Sequence, residues 1–156
     1  MKTLTVEDGV KNSGLSENLI KAHIEFCCFL KDNGFSLEPE TGDDGIGWRI
    51  AYMDECVGHT NYAEAGIWID TCDFGGSGAA DDNLKETAWA HARVCEHFSS
   101  DEKRCGCGKQ PGFSKTIFGK EYKNLCFALL EFLHPGAETL DVIKKLMLLY
   151  IKEKNK

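Results

Sequence analysis

The chain has 156 residues, 42% of them apolar and 28% charged, with a net charge of −7 at neutral pH. That length suits a single domain with its own core, which needs neither a disulfide nor a metal in order to fold. The acidic balance argues against nucleic-acid binding, which draws on a surplus of Lys and Arg. No apolar run approaches the roughly 20 residues that span a bilayer.

The first residues meet Glu7 and Asp8 at once and contain no signal-peptide hydrophobic segment, so the expected address is the cytoplasm. Residues 1–14 read as a loosely ordered arm. A helix is expected over Ser16–Asn33. Ser16 suits the N-cap, Leu15 and Ile20 have staple spacing, and Asn33-Gly34 is a stop signal. Its stripe is Leu19, His23, Phe26, Cys27 and Leu30, and His23 reads as a buried histidine bonded to a backbone carbonyl.

From Phe35 to Asp73 the pattern turns to strands. Ile46, Trp48, Ile50 and Tyr52 alternate with smaller or polar residues after an Asp43-Asp44-Gly45 turn. A shorter strand is expected around Cys56–Tyr62, and Ala65–Cys72 is apolar on both faces, like a central strand. The Gly-rich loop Phe74–Ala79 lacks the Lys-Ser/Thr ending of a phosphate loop and the setting of a nucleophile elbow, and reads as a connection.

A second helix is expected to start at Asp82 or Asn83 and to carry the stripe Leu84, Ala88, His91, Cys95 and Phe98. Ser99–Gly112 reads as an irregular loop. Phe113–Phe118 and Tyr122–Phe132 then form a hairpin around Gly119-Lys120, although the second segment also suits a helix. The last helix runs from Glu138 to about Lys152. The sum is an α+β domain with three helices on a mainly antiparallel sheet of four or five strands.

Eight cysteines in a reducing compartment are core thiols, metal ligands or redox groups rather than disulfides. Cys27, Cys28, Cys56, Cys72 and Cys126 lie in or beside apolar stretches and read as core thiols. Cys95, His97, Cys105 and Cys107 offer donors that zinc accepts, with His91 as an alternative because it is four residues from Cys95. Cys105 and Cys107 also lie among Lys103, Arg104 and Lys109, which would favour thiolates and a redox role.

Charge is uneven, with 7 basic and 19 acidic residues in 1–101 against 11 and 6 in 102–156. The simpler account is attraction between the two halves. The functional one is a basic surface around Lys103, Arg104, Lys109, Lys115, Lys120 and Lys123 that receives an anion or an acidic partner.

The segments Gly47-Trp48-Arg49-Ile50-Ala51-Tyr52 and Gly66-Ile67-Trp68-Ile69-Asp70 resemble the small uncharacterised bacterial domains of the YdhG-like and YjbR-like kind. The resemblance spans residues 16–72 and 113–152. It implies a compact α+β fold with a concave sheet and a role in binding a small molecule or a protein partner. It carries over no functional residue.

With no complete catalytic constellation in view, the leading expectation is a ligand- or partner-binding domain without catalysis, monomeric or homodimeric. Its site would lie between the sheet (Trp48, Arg49, Trp68) and the 99–112 loop. The alternatives are the structural zinc site and the Cys105/Cys107 redox site.

Overall fold

In the computed structural model, residues 14–42, 45–61, 65–95 and 112–156 are described, and every structural statement below concerns these. The elements in chain order are α1 (Glu17–Asp32), β1 (Ser36–Gly42), β2 (Gly45–Tyr52), β3 (Glu55–Asn61), β4 (Ile67–Ile69), a 3₁₀ turn (Ser77–Ala79), α2 (Asp82–Ala90), β5 (Ala92–Val94), β6 (Phe113–Ile117), β7 (Lys120–Phe132) and α3 (Ala137–Lys154). The class is α+β with three helices and an antiparallel sheet, as expected. The sheet has seven strands rather than four or five.

Local chemistry accounts for the ends of α1. Ser16 Oγ accepts from Leu19 N, satisfying one of the donors that a helix start leaves open. At the other end Phe35 N reaches Leu30 O and Gly34 N reaches Lys31 O, with Gly34 at φ 86°. This paired closure needs a left-handed residue, which glycine adopts without strain, and it brings buried Phe35 against buried Leu30. The second helix is shorter than its apolar stripe suggests. Asp81 caps its start through Leu84 N at 2.8 Å, but it ends at Ala90, and Ala92–Val94 pairs with β7 instead.

The strand order is β1-β2-β3-β4-β7-β5, with β6 also paired to β7. Leu125 of β7 pairs with both Phe113 and Val94, and Leu130 pairs with both Ile69 and Ala92. A strand has two edges, so β5 lies along one edge of β7 while β6 and β4 follow each other along the other. β7, ambiguous between strand and helix by pattern, is thus the strand on which three others meet.

Two tight hairpins use left-handed residues: Met53 (φ 49°) and Asp54 (φ 66°) between β2 and β3, Phe118 (φ 46°) and Gly119 (φ 84°) between β6 and β7. Both match the turn whose twist suits antiparallel strands. Phe118 stays at this position because its ring is buried against Phe74, with centroids 5.9 Å apart.

One sheet face carries Ile50, Ile67, Ile69, Leu130 and Phe132. These form one core with Phe26 and Leu30 of α1, Leu84 and Ala88 of α2, and Leu140, Ile143, Leu146, Met147 and Tyr150 of α3. Each such aliphatic or aromatic side chain contributes roughly 1.5–3 kcal/mol when fully buried. The opposite face carries a polar rung, in which Glu38, Arg49, His59, Trp68 and Glu131 are successive register partners across β1, β2, β3, β4 and β7. The candidate site lies on this second face.

Among the described residues no helix is long and apolar enough to cross a membrane.

Candidate metal centre

β3 departs from regular pairing at one point, and that departure builds the site. Ile50 pairs with Gly58 but Ala51 pairs with Cys56, so Val57 is an extra residue in β3. In a regular strand, side chains three apart point to opposite faces. The bulge restores parity. Cys56 and His59 therefore share the polar face, while Val57 is fully buried in the core. On its other edge β3 keeps a regular register with β4, and the Val57 carbonyl extends that ladder by one step, accepting from Asp70 N at 2.8 Å, so that Asp70, the residue after β4, lies alongside.

The result is a cluster of Cys56, His59 and Asp70, whose donor atoms all lie within 4.8 Å of one another. His59 Nε2 is 2.9 Å from Asp70 Oδ2. Cys56 Sγ is 3.6 Å from that same nitrogen and 3.7 Å from that same oxygen. The other ring nitrogen, Nδ1, is 2.9 Å from Glu40 Oε2 on β1. Asp70 is the most enclosed of the three, with a side chain only 6% exposed, and its second oxygen, Oδ1, is buried with no hydrogen-bond partner. A buried carboxylate oxygen without a donor is costly and calls for an explanation.

The charges act together. Asp70 raises the His59 pKa above its ordinary value, against the opposing effect of burial, and Glu40 adds to the rise. A carboxylate at each nitrogen favours the doubly protonated imidazolium, which can donate on both sides. Burial, and after it Asp70, push the Cys56 thiol up, while Arg49 pulls it back. Arg49 is held beside it by Glu38 at 2.9 Å and by the Asp54 carbonyl at 3.1 Å. A thiol raised in this way is a poor free nucleophile, because the thiolate is the reactive form.

A cation reverses this logic by favouring thiolate, neutral imidazole and carboxylate together. Zinc bonds of about 2.0–2.3 Å in a tetrahedral arrangement set ligand atoms about 3.3–3.7 Å apart. Two of the three observed separations, 3.6 and 3.7 Å, fall in that range, and the third, 2.9 Å, is shorter by a few tenths. The contact of Nδ1 with Glu40 is the outer-shell carboxylate that metal-bound histidines commonly have. Three protein donors leave a fourth position for another ligand.

The residues singled out in the sequence lie elsewhere. Trp48 is 2% exposed and packs with Cys27 on the helix-covered face, so it does not share a surface with Arg49 and Trp68. Trp68 lies over Gly66 on the polar face and donates from Nε1 to Glu131 at 2.9 Å. Arg49 is the one expected ligand-binding residue that belongs to the cluster. His91 caps α2, stacks on Phe132 at 4.5 Å and has Nδ1 2.9 Å from the Thr87 carbonyl. Cys95 is buried beyond β5, its amide donating to Asn124 O, so the two do not share a helical face. His97, Cys105, Cys107 and the 99–111 part of the loop lie outside the described residues.

The sequence pattern does not mark out Cys56, His59 and Asp70 as a group, and it places Cys56 among the core thiols. The usable signal is Cys56-Val57-Gly58-His59, a two-residue ligand spacing around a glycine inside a strand, where glycine often marks a bulge. Gly58 has a strict reason to be glycine, since a Cβ there would collide with the Trp68 carbonyl oxygen across the β3–β4 pair.

No protein-family profile matches the chain, and neither a curated protein nor a solved structure matches it.

Proposed function

We propose that the chain is a ligand-binding domain whose ligand is held through one divalent transition-metal ion, zinc by its donor chemistry, at Cys56, His59 and Asp70. The observation that carries the reading is convergence. Sγ, Nε2 and Oδ2 meet at one place, while the second histidine nitrogen is oriented by Glu40. A thiolate, an imidazole and a carboxylate suit zinc better than magnesium or calcium, which prefer oxygen alone. The open fourth position gives the domain something to do with the ion beyond holding the fold together. The net charge of −7 fits a cation and a small ligand better than a nucleic acid.

Elemental analysis of the full chain, purified without chelator, tests the proposal alongside Cys56→Ser and Asp70→Asn. One zinc per chain in the parent, lost in both variants while their circular dichroism is unchanged, is the expected result. Zinc retained in both variants would overturn it and move the ion to Cys95, Cys105 and Cys107. Absence of metal even after zinc is supplied in excess would also refute it.

A further inference from the structure

A recess of about 330 Å³ shares Asp70 with the metal centre and is lined further by Cys72 and Asp73, by Phe113 and Lys115, and by Leu129. Its origin lies in the sheet. Along one edge of β7, β6 pairs from Lys120 to Leu125 and β4 pairs from Leu130 to Phe132, so residues 126–129 have no strand partner on that edge among the described residues. The recess occupies this break in the ladder. Asp70, which offers one oxygen to the ion site, also lines it.

We propose that this recess is the seat of the ligand that completes the metal centre, and that the ligand is a small organic acid, a carboxylate or phosphate on a short apolar body, whose anionic group pairs with Lys115 and whose body lies against Phe113 and Leu129. The inference rests on the metal centre proposed above. Lys115 is the cation among the described residues that line the recess, and no carboxylate is paired with it among the described residues. Lys115 itself lines the recess, together with Cys72 and Asp73. Leu129 is 3% exposed and gives the recess an apolar wall. The volume is at the low end for small-molecule sites, which limits the ligand to a compact one. The Cys56 thiolate and Asp70 together match a divalent ion, the remaining charges of the recess, Asp73 and Lys115, balance, and the open position on the ion takes an anionic oxygen as a ligand.

The test uses the full chain loaded with cobalt, whose visible bands report its ligands, with phenylacetate, phenyl phosphate and neutral benzyl alcohol as probes. Saturable shifts of the cobalt bands by the acids but not by the alcohol are expected. Lys115→Met should weaken them about tenfold or more, since a hydrogen bond to a charged group is worth at least that, while the cobalt stoichiometry stays the same. Phenylacetate and phenyl phosphate separate a carboxylate from a phosphate ligand. Bound cobalt with bands that no probe moves would overturn the recess and leave the metal centre standing, as would benzyl alcohol acting as strongly as the acids. If cobalt does not bind, the metal centre fails. Calorimetric titration of the metal-free chain with the same acids then decides the recess, supported by binding that Lys115→Met weakens and refuted by none.

Discussion

His23 makes the stability of this fold depend on pH in a window that can be worked out in advance. It is 2% exposed on α1, and its Nε2 lies 3.0 Å from Thr60 Oγ1 on β3. The Thr60 hydroxyl spends its proton on Gly66 O at 2.8 Å, so it accepts from His23. The ring is therefore the neutral Nε2–H form, and its Nδ1 is buried without a partner. A proton added there has no acceptor, and burial lowers the pKa from 6.5 to about 4. Between those values the unfolded chain binds a proton that the folded chain refuses. Stability is therefore complete above pH 6.5 and is lost as the pH falls towards 4. The full loss is about 3 kcal/mol, of which about 2 kcal/mol has gone by pH 5. His59 acts with the opposite sign and in another window. Its raised pKa contributes stability that is present below 6.5 and is lost above it. Urea unfolding followed by tryptophan fluorescence, with chelator present, at pH 7.5 and pH 5 measures the difference. His23→Gln, which keeps a donor for Thr60 but does not titrate, should lose about 2 kcal/mol less than the parent over that interval, a relative midpoint shift of about 1 M. Equal losses in the two proteins would mean that the folded state accepts the proton, and the buried neutral assignment would be wrong.

Other predictions follow from the strands that carry the centre. Glu40→Gln removes the carboxylate that orients His59 from outside and should weaken zinc binding about 10–100-fold, read by competition with a chromophoric chelator, with the fold intact. Gly58→Ala drives a methyl group into the Trp68 carbonyl. It should cost about 1–3 kcal/mol in chemical denaturation and weaken zinc binding as well, because two ligands stand on β3 and the third directly follows β4. Met53→Asn with Asp54→Gly replaces two left-handed residues by the pair that favours this turn, and should add about 1–2 kcal/mol by the same denaturation assay. The gain is not offset by lost packing, since Met53 is 72% exposed, and the Asp54 carbonyl that receives Arg49 is kept.

What was legible in the sequence was chiefly what short-range chemistry decides. Ser16, Asn33 and Gly34 mark both ends of α1, and the alternation of Trp48, Ile50 and Tyr52 places β2 with its correct inward face. The second helix was drawn past Ala90 because His91 and Cys95 continue its four-residue spacing. That spacing describes a face and says nothing about whether the backbone there has a better partner, which β7 supplies. The number of strands was low for a related reason. Ser36–Gly42 contains Pro39 and four polar or acidic residues, and it becomes a strand only because it borders β2 at the sheet edge, where proline is tolerated.

The site was harder to see because its defining event is a change of parity. Cys56 and His59 are three residues apart, and in any regular strand that spacing separates them. One extra residue, Val57, reverses this on the β2 side, while the regular β3–β4 register runs on through the same residue to the Asp70 amide. The bulge therefore sets two ligands on one face, and the regular pairing with β4 brings in the third. The consequence is rigidity. The three donors stand on paired strands anchored from beneath by Val57, Ile67 and Ile69 in the core, and Glu40 reaches His59 from a third strand. A site mounted in this way meets an ion with little reorganisation. Its one unsatisfied atom, Asp70 Oδ1, then has an evident use: it can turn towards the ion as a second carboxylate oxygen or accept a donor from whatever fills the open position.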